Sequence, residues 1–385
     1  MNPRRYGLST TAIHGIPHRK PDWSPVSPPL MQSSTFTNPV GSTEEVIYSR
    51  YGNNPNQIAI AQRYALLEGA DSAIFLASGM GATALAHLAV LRPGDHLISS
   101  EWIYGGTRRL FEDEFSRWGI NVTFCRPDEP RQWRKAVKKS TRAIFIETPT
   151  NPLVQLIDLG PVAQVVKEFG LALLVDSTFG SPVNFRPLEH GADVVITSAT
   201  KYLNGHSDVI AGAVAGATAL VEEVTRLMRL WGQSLDPHSA WLIDRGLRTL
   251  SVRMERHNAN GMAVATWAEK HKSVSRVHYP GLSSHPQHAL AREVLHGFGG
   301  MVGLQIEGGA PAAERFLRRL RIVTHAPSLA GVESLVSEPR LTSHVALTSD
   351  QRAALGFPDG FVRLSCGLED ADDLIHDLDQ ALGGK

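Results

Sequence analysis

Lys201 closes the run VVITSATK, in which an apolar, strand-like stretch leads directly into Ser198, Thr200 and the lysine, with Gly205 soon after. A lysine placed just beyond a buried strand loses hydration, and lost hydration or a neighbouring cation lowers its pKa until the free amine can act as Schiff-base nucleophile and then as base. Asp176 ends a second such run, LALLVD, and is followed by Ser177 and Thr178. A carboxylate at that place suits a pyridinium nitrogen, the pairing that lets pyridoxal phosphate work as an electron sink. Taken singly, each residue has a plainer reading, a solvated surface lysine and a turn or capping aspartate.

Other residues extend the chemistry. In AIFLASGMGATALAHLAV a strand, a small-residue turn and a helix follow one another, so unpaired N–H groups at the helix start form an anion site. Gly79-x-Gly81-x-x-Ala84, with Glu101 downstream, also satisfies the loose dinucleotide fingerprint, which keeps an NAD-dependent oxidoreductase open as a rival class. Tyr48 and Arg50 in IYSRYGNNPN make a phosphate-competent pair, because a guanidinium grips two oxygens while a phenol donates a third bond. Tyr104 in EWIYGGT sits beyond another strand, where its ring can stack on a cofactor. The histidines of HYPGLSSHPQH show no metal-ligand spacing and read as loop residues; no metal is expected.

The elements that must position these groups are legible from spacing. Short β-rich runs (AIFLAS, HLISS, NVTFC, AIFIET, LALLVD, ADVVITS, VIAGAVAG) alternate with segments mostly long enough for helices, which predicts βαβ units and a mostly parallel sheet. Between Leu159 and Gly170, Leu159, Val162, Ala163, Val166 and Phe169 share a helical face. Ligands bind beyond the carboxyl ends of such strands, which directs attention to Glu147, Asp176 and the Ser198–Lys201 group. The texture changes near Arg245, and three regions are expected: an extended arm over 1–55, a large domain over 56–245 and a C-terminal domain over 246–385. In FVRLSCG, Arg363 falls on the less apolar face, and DADDLIHDLDQAL forms an amphipathic helix. The basic run Arg131 to Arg142 reads as one solvated helix face.

Composition narrows the class. The chain has 385 residues, 42% of them apolar and 20% charged, enough for a large buried core. Its 38 basic residues balance 38 acidic ones, so no bulk field draws it to nucleic acid or to an anionic membrane. The uncharged stretch Ser72–Leu91 is interrupted by Ser-Gly-Met-Gly and reads as strand, turn and helix rather than as a membrane span. The first residues lack the apolar stretch of a secretory signal, and Cys125 and Cys366 match no disulfide or zinc spacing. A cytoplasmic protein is expected.

Together, YSRYGNNPN, ASGMGA, YGGT, ETPTNP, VDSTF, SATKYLNGHSD, RGLRTL, VESL and VRLSCGLED occur in the order seen in the Cys/Met metabolism family of pyridoxal-phosphate enzymes, which this sequence resembles over nearly its whole length. The resemblance implies the fold-type I, aspartate-aminotransferase-like α/β subunit, with a mostly parallel central sheet and a smaller C-terminal α/β domain, assembled as a homotetramer from two dimers. It implies that Lys201 carries the cofactor, Asp176 meets its ring nitrogen and Tyr104 stacks on the ring. Gly79, Met80, Ser198 and Thr200 match the phosphate cradle, and Tyr48 and Arg50 match the pair that reaches the neighbouring subunit's phosphate site. Arg363, Asn151 and Ser334 match the group that holds a substrate α-carboxylate, and Glu333 is placed to meet a distal ammonium. The implied reaction is γ-elimination or γ-replacement on a homoserine-derived amino acid, of the cystathionine γ-lyase or γ-synthase type. A cystathionine β-lyase, a methionine γ-lyase, an O-acylhomoserine sulfhydrylase and a γ-lyase of an oxygen-linked derivative such as canavanine are the alternatives. Gly106 stands where methionine lyases usually carry cysteine, which counts against that activity.

Overall fold

The computed structural model describes residues 6–16, 21–342, 345 and 348–383. Residues 1–5 and 17–20 of the expected arm, and 384–385 at the end of the C-terminal domain, lie outside the described residues.

The central sheet has seven strands: β1 (Ser72–Leu76), β2 (His96–Ser100), β3 (Asn121–Cys125), β4 (Thr141–Glu147), β5 (Ala172–Asp176), β6 (Val194–Thr197) and β7 (Gly212–Gly216). They lie in the order β1-β7-β6-β5-β4-β2-β3. All run parallel except β7, which pairs antiparallel with both β1 and β6. The strands are short apolar runs because both faces are covered: Ile144, Phe145 and Ile146 of β4 and Leu173, Leu174 and Val175 of β5 have no solvent exposure. Each such side chain stabilises the fold by roughly 1.5–3 kcal/mol through burial.

Local signals fix the helices that flank the sheet. The Pro55–Glu68 helix starts at Asn54, whose side chain and that of Gln57 form a capping box, and stops at Gly69 in the left-handed conformation. The Leu159–Phe169 helix is capped by Asp158 and ended by Gly170 at φ 63°. Its buried face is Leu159, Val162, Val165 and Val166, whereas Phe169, expected on that face, is 43% exposed in the last turn. The basic run is helical only over Pro130–Ala136; Trp133 is buried, and Thr141 and Arg142 already belong to β4.

The helices Pro237–Leu247 and Leu250–Ala268 lead to a second sheet, and Arg245 lies inside the first of them. That sheet comprises β8 (Val274–His278), β9 (Met301–Ile306), β10 (Thr324–His325), β11 (Leu335–Ser337) and β12 (Phe361–Ser365), in the order β10-β11-β12-β9-β8. It is antiparallel apart from the β10–β11 pair. Leu374 and Leu378 of the Ala371–Ala381 helix close its apolar core. Arg363 lies mid-strand on β12, opposite Gly303 of β9 and Ser337 of β11.

Candidate active site

The chain leaves β2 toward one edge of the central sheet and leaves β4 toward the other, so a crevice opens beyond their carboxyl ends. A cavity of about 590 Å³ lies there. Its wall holds Glu147 from the end of β4, Asp176 from β5, Ser198, Thr200 and Lys201 from the loop after β6, and Tyr104 from the loop after β2. Gly79 and Met80 contribute the start of the Gly79–Val90 helix, and Arg363, Ser328 and Thr342 come from the second sheet and its connections.

Hydrogen bonds hold these groups in place. Lys201 Nζ donates to Ser328 Oγ at 2.7 Å. Thr178 donates both its N–H (2.9 Å) and its hydroxyl (2.6 Å) to Asp176 Oδ1, and its Oγ1 accepts the Ser198 N–H at 2.9 Å. Arg363 Nη1 donates to Asn151 Oδ1 at 2.8 Å and Nη2 to the Ser328 carbonyl at 3.0 Å, while its buried Nε has no hydrogen-bond partner among the described residues. Glu147 accepts the Tyr104 N–H on Oε2 at 2.7 Å and the Asn151 N–H on Oε1 at 2.9 Å. Beneath the lysine loop, Arg253 donates to the carbonyls of Tyr202 and Gly246, both at 2.8 Å, and to Thr249 Oγ1. Gly246 has no room for a side chain, since a Cβ there would stand 2.3 Å from the Asn204 carbonyl.

Burial sets the electrostatics. It lowers the Lys201 ammonium to about 8, helped by the Arg363 guanidinium. Burial also raises the Asp176 carboxyl, against the pull of the Thr178 bonds, and raises Glu147, with the Asp176 charge adding to the effect. The lysine therefore has an appreciable free-amine fraction near neutrality, and two carboxyls share the cavity floor in want of positive charge.

The family model described as "Cys/Met metabolism PLP-dependent enzyme" matches residues 9–383. The chain belongs to this family. A cystathionine β-lyase of Coxiella burnetii is 40% identical over 99% of both chains. A cystathionine γ-lyase of Bacillus subtilis is 40% identical over 97% of this chain and 98% of its own. Among solved structures, the cystathionine gamma synthase of Xanthomonas oryzae pv. oryzae, in complex with aminoacrylate and cysteine, superimposes with a TM-score of 0.93 at 38% identity, covering 98% of each chain. Family membership replaces the oxidoreductase alternative. Its structural reason is that β1, which feeds Gly79 and Gly81, lies at the sheet edge beside antiparallel β7, so no dinucleotide crevice forms between parallel strands there.

The cavity fits the family's cofactor. Asp176 can meet a pyridinium through the oxygen that Thr178 does not take, Lys201 can form the covalent link, and a phosphate finds the N–H groups of Gly79 and Met80 with the Ser198 hydroxyl. A Cβ on Gly79 would stand 2.9 Å from Ser198, so the glycine keeps the two cradle walls close. The Thr200 hydroxyl donates to the Ala211 carbonyl and accepts the Ala211 N–H, which fixes this loop at the cavity wall.

Of the residues that the family resemblance assigns to the site, Lys201, Asp176, Tyr104, Gly79, Met80, Ser198, Thr200, Asn151 and Arg363 line one cavity, and four do not. Ser334 is turned away: its hydroxyl donates to Glu369 Oε2 and accepts the Gly367 N–H, both at 2.8 Å, and beside Arg363 it is Ser328 that lines the wall. Glu333 accepts the Ser207 hydroxyl outside the wall. Tyr48 and Arg50 also lie outside it; the exposed Arg50 donates to the Arg229 carbonyl and lies 5.6 Å from the Tyr48 ring. Ser328 carries no motif signal, and Thr178 stands within VDSTF, although nothing in that motif marks it as the residue that holds Asp176. Glu147, to which its place at a strand's carboxyl end directs attention, lines the wall as well.

Proposed function

We propose that the chain catalyses γ-elimination or γ-replacement on a homoserine-derived amino acid, and the observation that carries this is the joint placement of Lys201, Asp176 and Arg363 around one cavity. When bound, pyridoxal phosphate supplies an electron sink for carbanionic charge. Asp176 would hold positive charge at the ring nitrogen, and Tyr104 would cover the ring. Arg363 grips the substrate α-carboxylate with its fork, supported by Asn151 and by Ser328 in place of Ser334. Lys201 would hold the cofactor covalently, and its amine, once free, would take a proton from the substrate α-carbon and move protons between the α- and β-carbons, so that a group on the γ-carbon could leave. Tyr104, 41% exposed at the cavity, assists proton transfer near the leaving group.

The same reading assigns the arm over 1–55 to the neighbouring subunit of a homotetrameric dimer of dimers, with Tyr48 and Arg50 completing that subunit's phosphate site. It assigns 56–245 to cofactor binding and 246–385 to the C-terminal domain. The exposed Trp23, Val26 and Val40 of the arm support a partner surface, and the buried, unpaired Cys125 and Cys366 support a reducing cytoplasm. Among the described residues no helix is long and apolar enough to cross a membrane.

Purified protein loaded with pyridoxal phosphate and given L-cystathionine tests the proposal. Release of 2-oxobutyrate and cysteine is expected for γ-elimination, and pyruvate with homocysteine would move the assignment to β-elimination. If neither forms, an acylated homoserine with cysteine tests γ-replacement, and failure there as well overturns the cystathionine reading.

A further inference from the structure

Glu147 has no role in the reaction just described, yet it joins both halves of the cavity. Its two carboxylate oxygens each accept one backbone N–H: Oε2 that of Tyr104, which leads the loop beyond β2, and Oε1 that of Asn151, whose side chain accepts from Arg363. The carboxylate is buried, lies in register with Asp176 across the β4–β5 pair, and is itself part of the cavity wall. We propose that Glu147 is a positioning residue that fixes the ring-covering Tyr104 and the Asn151–Arg363 carboxylate fork relative to one another, so that cofactor environment and amino-acid binding depend on one side chain.

The physical case rests on geometry and on the cost of the arrangement. The N–H groups of Tyr104 and Asn151 favour the ionised form against burial and the Asp176 charge, a backbone N–H bonded to a carboxylate gives a stronger bond than one between neutral groups, and both oxygens are used, which defines the carboxylate plane. Burying a second carboxylate beside Asp176 is unfavourable unless its oxygens are well satisfied. Glutamine keeps the shape but turns one oxygen into an NH2 that faces a backbone N–H, so one of the two bonds is lost. Aspartate keeps the charge but falls one methylene short of the two donors.

The proposal rests on the cofactor reading above, and the experiment separates the two. Protein loaded with pyridoxal phosphate is titrated with L-alanine, which carries no γ leaving group, and its affinity is read from the spectral change; the visible circular dichroism of the bound cofactor is recorded alongside. Glu147→Gln is expected to weaken L-alanine binding by about tenfold, the scale of one charged hydrogen bond, and to alter the dichroism. Glu147→Asp should do the same despite keeping the charge. In an Asn151→Ala background, Glu147→Gln should weaken L-alanine binding little further while still altering the dichroism, because the path to the fork is already cut. Wild-type affinity in Glu147→Gln or in Glu147→Asp, or losses that simply add with Asn151→Ala, would overturn the positioning role. A parent protein that takes up no pyridoxal phosphate would instead overturn the reading on which it stands.

Discussion

Lys201 has its ammonium lowered to about 8 by burial and by Arg363, and this predicts how the protein acquires its cofactor. The free amine is the reacting form, so uptake of pyridoxal phosphate by the cofactor-free protein should accelerate as pH rises through about 8 and then level. Arg363→Gln removes a cation beside the ammonium, which favours the charged form. The midpoint should move upward, though not to the ordinary lysine value, because burial is the larger cause. Stopped-flow absorbance over a pH series measures both, and an unmoved midpoint in Arg363→Gln would remove the guanidinium from the account. Lys201→Ala should lose both turnover and the yellow colour that borohydride bleaches; retained turnover would refute its role. At this scale Lys201, Asp176 and Arg363 were legible because each is a charged residue in or just beyond an apolar run. Ser328 was not, because its place on the wall comes from a loop bend at φ 95° that no local pattern announces. Choosing between Ser328 and Ser334 requires knowing which hydroxyl Glu369 and Gly367 have already taken.

The elements that carry these residues make their own predictions. Gly246 of the Pro237–Leu247 helix touches the loop after Lys201 so closely that Gly246→Ala must push the Leu203 and Asn204 carbonyls aside. Overpacking of this kind costs about 1–3 kcal/mol, and the displaced loop should also bind cofactor less tightly. Calorimetry and cofactor titration on the variant check the two effects separately. In the Pro55–Glu68 helix, burial pushes the Glu68 carboxyl up to about 8, with Tyr64, Arg186 and Glu189 as its charged or titratable neighbours. The folded chain therefore keeps a proton there that the unfolded chain, with a carboxyl near 4.5, gives up. Stability should fall as pH rises from about 4.5 to about 8, and Glu68→Gln should flatten that part of the profile in denaturant titrations. Elements were the most readable level, since strand and helix periods are local and caps such as Asn54, Asp158 and Gly170 stand in the sequence. The end of the basic helix at Ala136 was not readable, because Thr141 pairs with His96 of β2 and takes Arg142 with it into β4.

For the whole molecule, the proposed cross-subunit role of the arm can be tested directly. If Arg50 serves the neighbouring subunit, Arg50→Ala and Lys201→Ala subunits, each inactive alone, should regain activity when denatured together and refolded. A hybrid dimer then has one site with both residues intact. No recovery in hybrids isolated by differential tagging would place Arg50 in its own subunit's chemistry. The exposed position of Arg50 against Arg229 makes this a question that a single chain poses and a pair answers.

The crevice draws on distant parts of the chain: Gly79 near the start, Lys201 in the middle, and Arg363 on β12, the last strand of the second sheet. The lysine loop is itself pinned by Arg253, from the helix that leads toward that sheet. A chain still being made on the ribosome thus carries Lys201 long before it carries Arg363, and the cavity with all three parts in place can exist only once β12 has been made.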